Sequence, residues 1–146
     1  MPIVKGCNLP DRLLYDVDNH IWYDEQPDGN VKLGMTTIAT AMAGQLVAFT
    51  PKKVGRSVEP GKSCATVESG KWVGPAKVAA AGEIVAVNDD LVATPQTANT
   101  DPYDKGWFLI IKPKEWAAVK ATLTPGTQVA AKYEAKMNAD GFAGCA

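Results

Sequence analysis

The chain has few of the histidine and cysteine side chains that bind metal ions or act in catalysis. It contains one histidine, His20, and three cysteines, Cys7, Cys64 and Cys145, with no Cys-x-x-Cys pair. A structural zinc ion needs about four Cys or His ligands, so we expect no metal site. A Ser-His-acid hydrolase is not predicted either, because no convincing set of partners accompanies the single histidine.

Long apolar runs and a charge excess are also missing. No segment approaches the roughly 18 apolar residues of a membrane span, and residues 1–11 have no signal-peptide pattern. The formal net charge of −1, from 15 basic and 16 acidic residues, excludes binding to nucleic acid through bulk positive charge. We therefore expect a cytoplasmic protein without membrane insertion or a nucleic-acid partner. A length of 146 residues indicates one domain.

Short apolar runs separated by turn residues dominate the middle of the chain. Most of the 13 glycines and 10 prolines punctuate runs rich in Val and Ile, which predicts a β-sandwich or barrel. Thr36 is placed to cap a short helix that ends at Gly44. The predicted strands are Val31–Met35, Leu46–Thr50, Ser63–Glu68, Ala76–Ala80, Glu83–Asn88 and Trp107–Lys112, and the predicted helix is Thr37–Ala43.

The chain changes character at Pro113. Residues 115–121 have a helical composition, and Thr124-Pro125 looks like the cap and first residue of a second helix. Residues 129–137 have apolar side chains at helical spacing, and we expect a mobile tail over 138–146. We divide the chain into an N-terminal flanking segment (1–14), a β-rich domain (15–112) and a helical C-terminal extension (113–146).

One predicted hairpin presents a lysine at its tip. Two β runs flank the connection Ser69-Gly70-Lys71-Trp72. A lysine in this position projects into solvent from a rigid platform, where a ligase can reach the amine and an attached arm has the most reach. Gly70, before the lysine, permits a positive φ, which two-residue hairpin turns often need.

Three sequence motifs follow one another between residues 67 and 107. They are Val67-Glu68-Ser69-x-Lys71, Gly82-Glu83-Ile84-Val85-x-Val87-Asn88 and Asp101-Pro102-Tyr103-x-x-Gly106-Trp107. From about His20 to Trp116 the sequence resembles the lipoyl-carrying H-protein family of the glycine cleavage system. The resemblance implies a flattened β-barrel, or barrel-sandwich hybrid, of the hammerhead-like lipoyl type. It also implies lipoate in amide linkage to Lys71, and a carrier with no enzymatic activity of its own.

The surroundings of Lys71 depart from the usual family pattern. Gly70 and Trp72 flank the lysine, and residues 52–77 carry a formal charge of +4, with six basic and two acidic residues. The run from Glu68 to Pro75 resembles a divergent branch of the family, the lipoate-binding proteins of heterodisulfide-reductase-like complexes in sulfur oxidation. The residues expected to specify the ligase or the partner are Glu68, Ser69, Gly70, Trp72, Gly74 and Pro75.

The branch resemblance implies a role in sulfur oxidation as the leading hypothesis. The arm would then shuttle sulfur intermediates and reducing equivalents between enzymes. The expected partners are a lipoate-protein ligase or lipoyl transferase and a heterodisulfide-reductase-like complex. One alternative is a glycine cleavage H protein that carries the aminomethyl group and meets glycine decarboxylase-type enzymes. Another is an unmodified interaction module with the same fold. A biotin carrier is disfavoured because its lysine normally lies between methionines, where this chain has Gly70 and Trp72.

The cysteines and the histidine have simpler expected roles. Cys7 and Cys145 lie outside the family-matched region, where they either pair in a disulfide or act as redox thiols toward sulfur species. In a cytoplasmic protein the default is two free, exposed thiols. Cys64 is expected to be a small buried apolar residue. His20 is expected to be structural, and Asp101-Pro102-Tyr103 to form a turn that braces the sheet.

Overall fold

The computed structural model describes residues 3–145, which form twelve strands and five helices. The strands are β1 (Ile3–Val4), β2 (Cys7–Asn8), β3 (Leu14–Asp16), β4 (Ile21–Glu25), β5 (Val31–Met35), β6 (Leu46–Pro51), β7 (Ser57–Val58), β8 (Ser63–Ser69), β9 (Val73–Lys77), β10 (Gly82–Val87), β11 (Leu109–Pro113) and β12 (Thr124–Pro125). The helices are α1 (Thr37–Ala43), α2 (Asp89–Ala93), α3 (Thr97–Thr100), α4 (Trp116–Lys120) and α5 (Val129–Ala139). No helix in this part of the chain is long and apolar enough to cross a membrane.

The strands form three antiparallel sheets. The largest has seven strands in the order β12-β3-β4-β5-β11-β10-β7, the second has the order β6-β8-β9, and β1 pairs with β2. The predicted mainly β fold is confirmed. Within residues 3–145 the sheets do not close into a barrel, because the strands β6, β8 and β9 pair only with one another and the seven-stranded sheet keeps two open edges.

One apolar core joins the two larger sheets. The Phe49 ring of β6 packs against Phe108, next to β11, with the ring centroids 4.6 Å apart. Val67, Ile84 and Leu33 are fully buried around this contact. Each sheet therefore covers the apolar face of the other, which holds the β8–β9 hairpin against the larger sheet.

The two ends of the chain are tied together beside this core. Cys7 and Cys145 form a disulfide with their Cα atoms 5.0 Å apart, and the Cys145 amide donates to the Lys5 carbonyl at 3.0 Å. The expectation of two free, exposed thiols is wrong, because Cys7 has no exposed surface and Cys145 is partly buried. Instead of a mobile tail, residues 138–145 end α5 and then pack back against the N-terminal segment.

Two predicted elements are misplaced, and both errors involve proline. The strand predicted over 76–80 is found earlier, as β9, which contains Pro75. Thr124-Pro125 does not begin a helix but pairs with Leu14 and Tyr15 of β3, and α5 starts only at Val129. Both strands lie at sheet edges, where the missing N–H of proline breaks no ladder. The division of the chain into three segments stays a prediction.

We predict that the disulfide is a main source of stability. Replacing Cys7 and Cys145 together by alanine releases a link between residues 138 positions apart. The unfolded chain then regains conformational entropy, and we expect a loss of about 2–4 kcal/mol in the free energy of unfolding. Thermal unfolding followed by circular dichroism should show a Tm lower by about 5–15 °C.

The same experiment contains its control. A reductant should lower the Tm of the parent protein toward that of the double variant and leave the variant itself unchanged. Equal Tm values for the variant and the untreated parent would contradict the prediction.

Candidate functional site

The tip of the β8–β9 hairpin is a tight turn anchored by a buried serine. The Ser69 amide donates to the Trp72 carbonyl at 2.7 Å, and the Lys71 amide donates to Ser69 Oγ at 3.3 Å. Only 5% of Ser69 is exposed. The backbone that carries Lys71 is therefore fixed from inside the protein, while the lysine side chain lies outside.

The Lys71 side chain lies in solvent beside the end of α1. Its Cε lies 3.4 Å from the position that a Cβ on Gly44 would occupy, and Gly44 ends α1 with φ of +86°. Within residues 3–145 the Lys71 amine makes no salt bridge and donates no hydrogen bond. An exposed primary amine without a partner is available for acylation.

The residues around Lys71 shape the tip in two ways. The Trp72 indole folds back over Gly74, where a Cβ would overlap the ring, and 39% of Trp72 stays exposed. The positive φ that Gly70 permits is not adopted, since Gly70 is not among the glycines with positive φ, and a Cβ there would meet no atom within 4 Å. The close approach of the ring therefore requires glycine at 74, whereas the turn does not require it at 70.

A cavity of about 420 Å³ opens beside the lysine. Its walls are mostly apolar and come from α1 and from the adjoining ends of β4 and β5, and Lys71 and Trp72 line it from the hairpin side. The other lining residues are Asn19, His20, Ile21, Met35, Ala39, Met42, Ala43, Pro75 and Ala76. The sequence offered no signal for this set apart from the cap that ends α1 at Gly44, because its members come from four separate elements, α1, β4, β5 and β9, and the turns beside them.

The C-terminal extension supports one wall of this cavity. The His20 ring stacks on Tyr133 of α5, with centroids 5.7 Å apart and planes 22° apart, and its Nδ1 lies 3.2 Å from the Tyr133 hydroxyl. Burial lowers the pKa of His20, so the ring is uncharged at neutral pH, and burial raises the pKa of Tyr133. The structural role expected for His20 thus has a definite partner.

The remaining predicted site residues lie on the β8–β9 hairpin and at the disulfide. Glu68 is exposed opposite Val73 on the hairpin, and Pro75 lines the cavity. The disulfide lies at the other end of α1, where Cys145 Sγ is 3.9 Å from the Thr37 carbonyl. A seven-residue helix is about 10 Å long, so the cysteines are close to the tip without being part of it.

Two other expectations concern residues away from the tip. Tyr103 braces the fold by donating to the Asn8 carbonyl at 2.6 Å and accepting from the Thr37 amide at 3.1 Å. Cys64 is fully buried, and burial raises its pKa to about 12. Within the described residues no group of three or more His, Cys, Asp and Glu side chains is placed to hold a metal ion.

A rigid hairpin that presents one free lysine beside an apolar cavity defines the class of covalently modified carrier domains. The family model of the glycine cleavage H-protein matches residues 13–136. The chain belongs to this family, whose members are lipoyl carriers and not catalysts and hold lipoate covalently on a lysine.

Individual relatives agree with this assignment. The chain is 48% identical to glycine cleavage system H protein 5 of Aquifex aeolicus, over 89% of this chain and 90% of the relative. It is 38% identical to the probable glycine cleavage system H protein 2 of Sulfurisphaera tokodaii, over 96% and 95% of the two chains. The crystal structure of a glycine cleavage system H protein from Mycobacterium marinum matches with a TM-score of 0.72 and 34% identity, covering 90% of this chain and 98% of the other.

The contact between Trp72 and Gly74 gives a prediction that a matched variant controls. Gly74→Ala places a methyl group where the indole lies, so the ring must swing away from β9. We expect the indole N–H resonance of Trp72, assigned through Trp72→Phe, to move toward the position of a solvent-exposed tryptophan. Gly70→Ala adds the same methyl group in open space and should leave that resonance in place. Equal shifts in both variants would show that the ring does not rest on Gly74.

Proposed function

We propose that Lys71 is the lysine that carries lipoate. Three observations support this assignment: the lysine lies at the hairpin tip, its amine is exposed and unpaired among the described residues, and a buried Ser69 fixes the turn beneath it. The other exposed lysine of the hairpin, Lys77, lies at the opposite end, paired with Ser63 in the strand register. A ligase that recognises a hairpin tip would therefore modify Lys71.

The residues around the tip fit this prosthetic group. When bound, lipoate supplies a dithiolane that accepts a carbon or sulfur group together with two electrons. The apolar wall from Met35, Ala39 and Met42 offers surface that excludes water, and sulfur packs favourably against aromatic rings such as Trp72. Because His20 is uncharged at neutral pH, the cavity gains no charge from its only titratable ring. The chain itself holds and orients the arm.

We propose that the carried group is the aminomethyl unit of glycine cleavage. The family match and the names of the relatives support this reading, and none of those names mentions sulfur oxidation. The expected partners are glycine decarboxylase-type enzymes and a lipoate-protein ligase or lipoyl transferase.

We also propose that the residues around the lysine form the surface that these partners read. Ser69 sets the turn, the partly exposed Trp72 gives an aromatic anchor, and Gly74 keeps its ring against the strand. The rest of this surface comes from Glu68, Gly70 and Pro75, which are exposed on the same hairpin.

Sulfur oxidation with a heterodisulfide-reductase-like complex stays as a second candidate because two observations favour it. The relatives are numbered 5 and 2 among the H proteins of their organisms, which points to several carriers in one cell. Gly70 and Trp72 give this chain a tip unlike the usual pattern of the family, and residues 52–77 as a whole carry a charge of +4. A cytoplasmic location also stays a prediction.

The assignment of Lys71 predicts the outcome of a modification assay. Incubation with lipoate, ATP and the ligase of the same organism should add the mass of one lipoyl group to the parent and none to Lys71→Arg, which keeps the charge but lacks a primary amine. Lys77→Arg, changed at the other end of the same hairpin, should be modified like the parent. The Tm of both variants should stay within about 2 °C of the parent, because both side chains are exposed. Full modification of Lys71→Arg would show that Lys71 is not the lysine that carries lipoate.

The glycine cleavage role predicts a glycine-dependent reaction. The lipoylated protein, added to glycine decarboxylase of the same organism, should support exchange of the glycine carboxyl carbon with bicarbonate, and the unmodified protein should not. Failure of the lipoylated protein in this assay, with reduction by a heterodisulfide-reductase-like complex instead, would move the second candidate to first place.

A further inference from the structure

A group of cations lies at the end of the three-stranded sheet opposite the tip. It consists of Lys52, Lys53, Arg56, Lys62 and Lys77, and we call it the basic end. Backbone contacts bring its members together: the Arg56 amide donates to the Lys53 carbonyl at 3.1 Å, the Lys52 amide to the Cys64 carbonyl at 2.9 Å and the Val78 amide to the Lys62 carbonyl at 3.0 Å, while Lys77 pairs with Ser63.

The charges of the basic end are not neutralised inside the protein. All its members are exposed except the half-buried Lys52. Within residues 3–145 the salt bridges join Arg12 to Asp24, Lys120 to Glu25 and Lys136 to Asp140, and none reaches this group. Two acidic residues are close. Glu59 shares a turn with Lys62, and Glu83 lies on β10 opposite Lys112.

The basic end is a local feature in a chain of nearly neutral charge. Residues 52–77 carry +4 and the whole chain −1, so the remainder of the chain carries −5. A charge separated in this way orients a molecule as it approaches a partner, and the resulting attraction raises the association rate more than the final affinity. A carrier that must leave after each transfer benefits from fast association without tight binding.

The position of the basic end defines how it would be used. Strand β8 has seven residues, so the basic end lies about 20 Å behind Lys71 along the hairpin. A partner enzyme that binds the hairpin tip in its active site would contact the basic end through the surface around its active-site entrance. Because the remainder of the chain carries −5, a local acidic patch matches the basic end better than a long polyanion such as DNA, which extends beyond it.

We propose that the basic end is a docking surface for an acidic patch beside the active-site entrance of the enzyme that receives the arm. The inference rests on the carrier function proposed above. It adds a second contact, remote from the tip, which sets the orientation of the hairpin before Lys71 enters.

The test compares two variants of identical net charge. Lys62→Glu with Lys77→Glu reverses the basic end, and Lys105→Glu with Lys132→Glu reverses two exposed lysines outside it. Both double variants carry a formal charge of −5 before lipoylation, which removes the charge of Lys71 equally from each. Circular dichroism and intact mass confirm that each is folded and lipoylated before its use with glycine decarboxylase of the same organism.

We expect the basic-end variant to raise the KM for the carrier about tenfold at about 0.02 M salt with an unchanged kcat. The difference should shrink to less than about twofold at about 0.3 M salt, because salt screens the attraction. The control variant should stay within about twofold of the parent under both conditions. Equal KM values for the two variants would overturn the proposal.

The outcomes also separate this proposal from the proposed function. If glycine decarboxylase does not accept the parent carrier, the glycine cleavage role fails, and the same variants are compared with the heterodisulfide-reductase-like complex. If neither enzyme distinguishes the basic-end variant from the control, the docking surface is rejected. A basic-end variant that loses binding to double-stranded DNA but keeps its KM would assign the cations to a polyanion and also overturn the proposal.

Discussion

The hydrogen bond from the Ser69 amide to the Trp72 carbonyl fixes the lysine that the protein presents. Ser69 is buried, its hydroxyl accepts from the Lys71 amide, and its strand is held on one side by β6 and on the other by β9. The sheet formed by these strands packs through Phe49 on the larger sheet. The core therefore sets the position of the tip, and the exposed Lys71 side chain extends from it.

Helix α1 connects this tip with the ends of the chain. Its last residues face the cavity, and Gly44 lies beside Lys71. Its first residue, Thr37, contacts Tyr103 and Cys145. Tyr133 of α5 reaches the same region and stacks on His20. The N- and C-terminal segments thus support the wall of the cavity and are more than appendages to the β-rich part.

Four of the strands were predictable from local sequence. Val31–Met35 matches β5, and the runs over 46–50, 63–68 and 83–88 match β6, β8 and β10 within one residue. Each is an apolar run bounded by turn residues, so its local sequence pattern agrees with the strand that it forms in the structure. The lysine at the hairpin tip followed from the same pattern.

The errors fall where tertiary contacts override local signals. The predicted strand began after Pro75, and Thr124-Pro125 looked like a helix start, but a proline is tolerated in an edge strand. Asn88 caps α2 by accepting from the Leu91 amide, a signal present in Asn88-Asp89-Asp90 that sequence reasoning overlooked. The cavity and the pairing of Cys7 with Cys145 depend on contacts between distant segments, which no local pattern contains.

The central claim is that this chain is a carrier whose arm is attached to Lys71. Peptide mapping by tandem mass spectrometry, on protein purified from its natural host, tests it most directly because it records the modification made in the cell. The account predicts one lipoyl group on the peptide that contains Lys71 and none on any other lysine. A lipoyl group on a different lysine, or fully unmodified protein from cells whose other lipoyl proteins are modified, would contradict it.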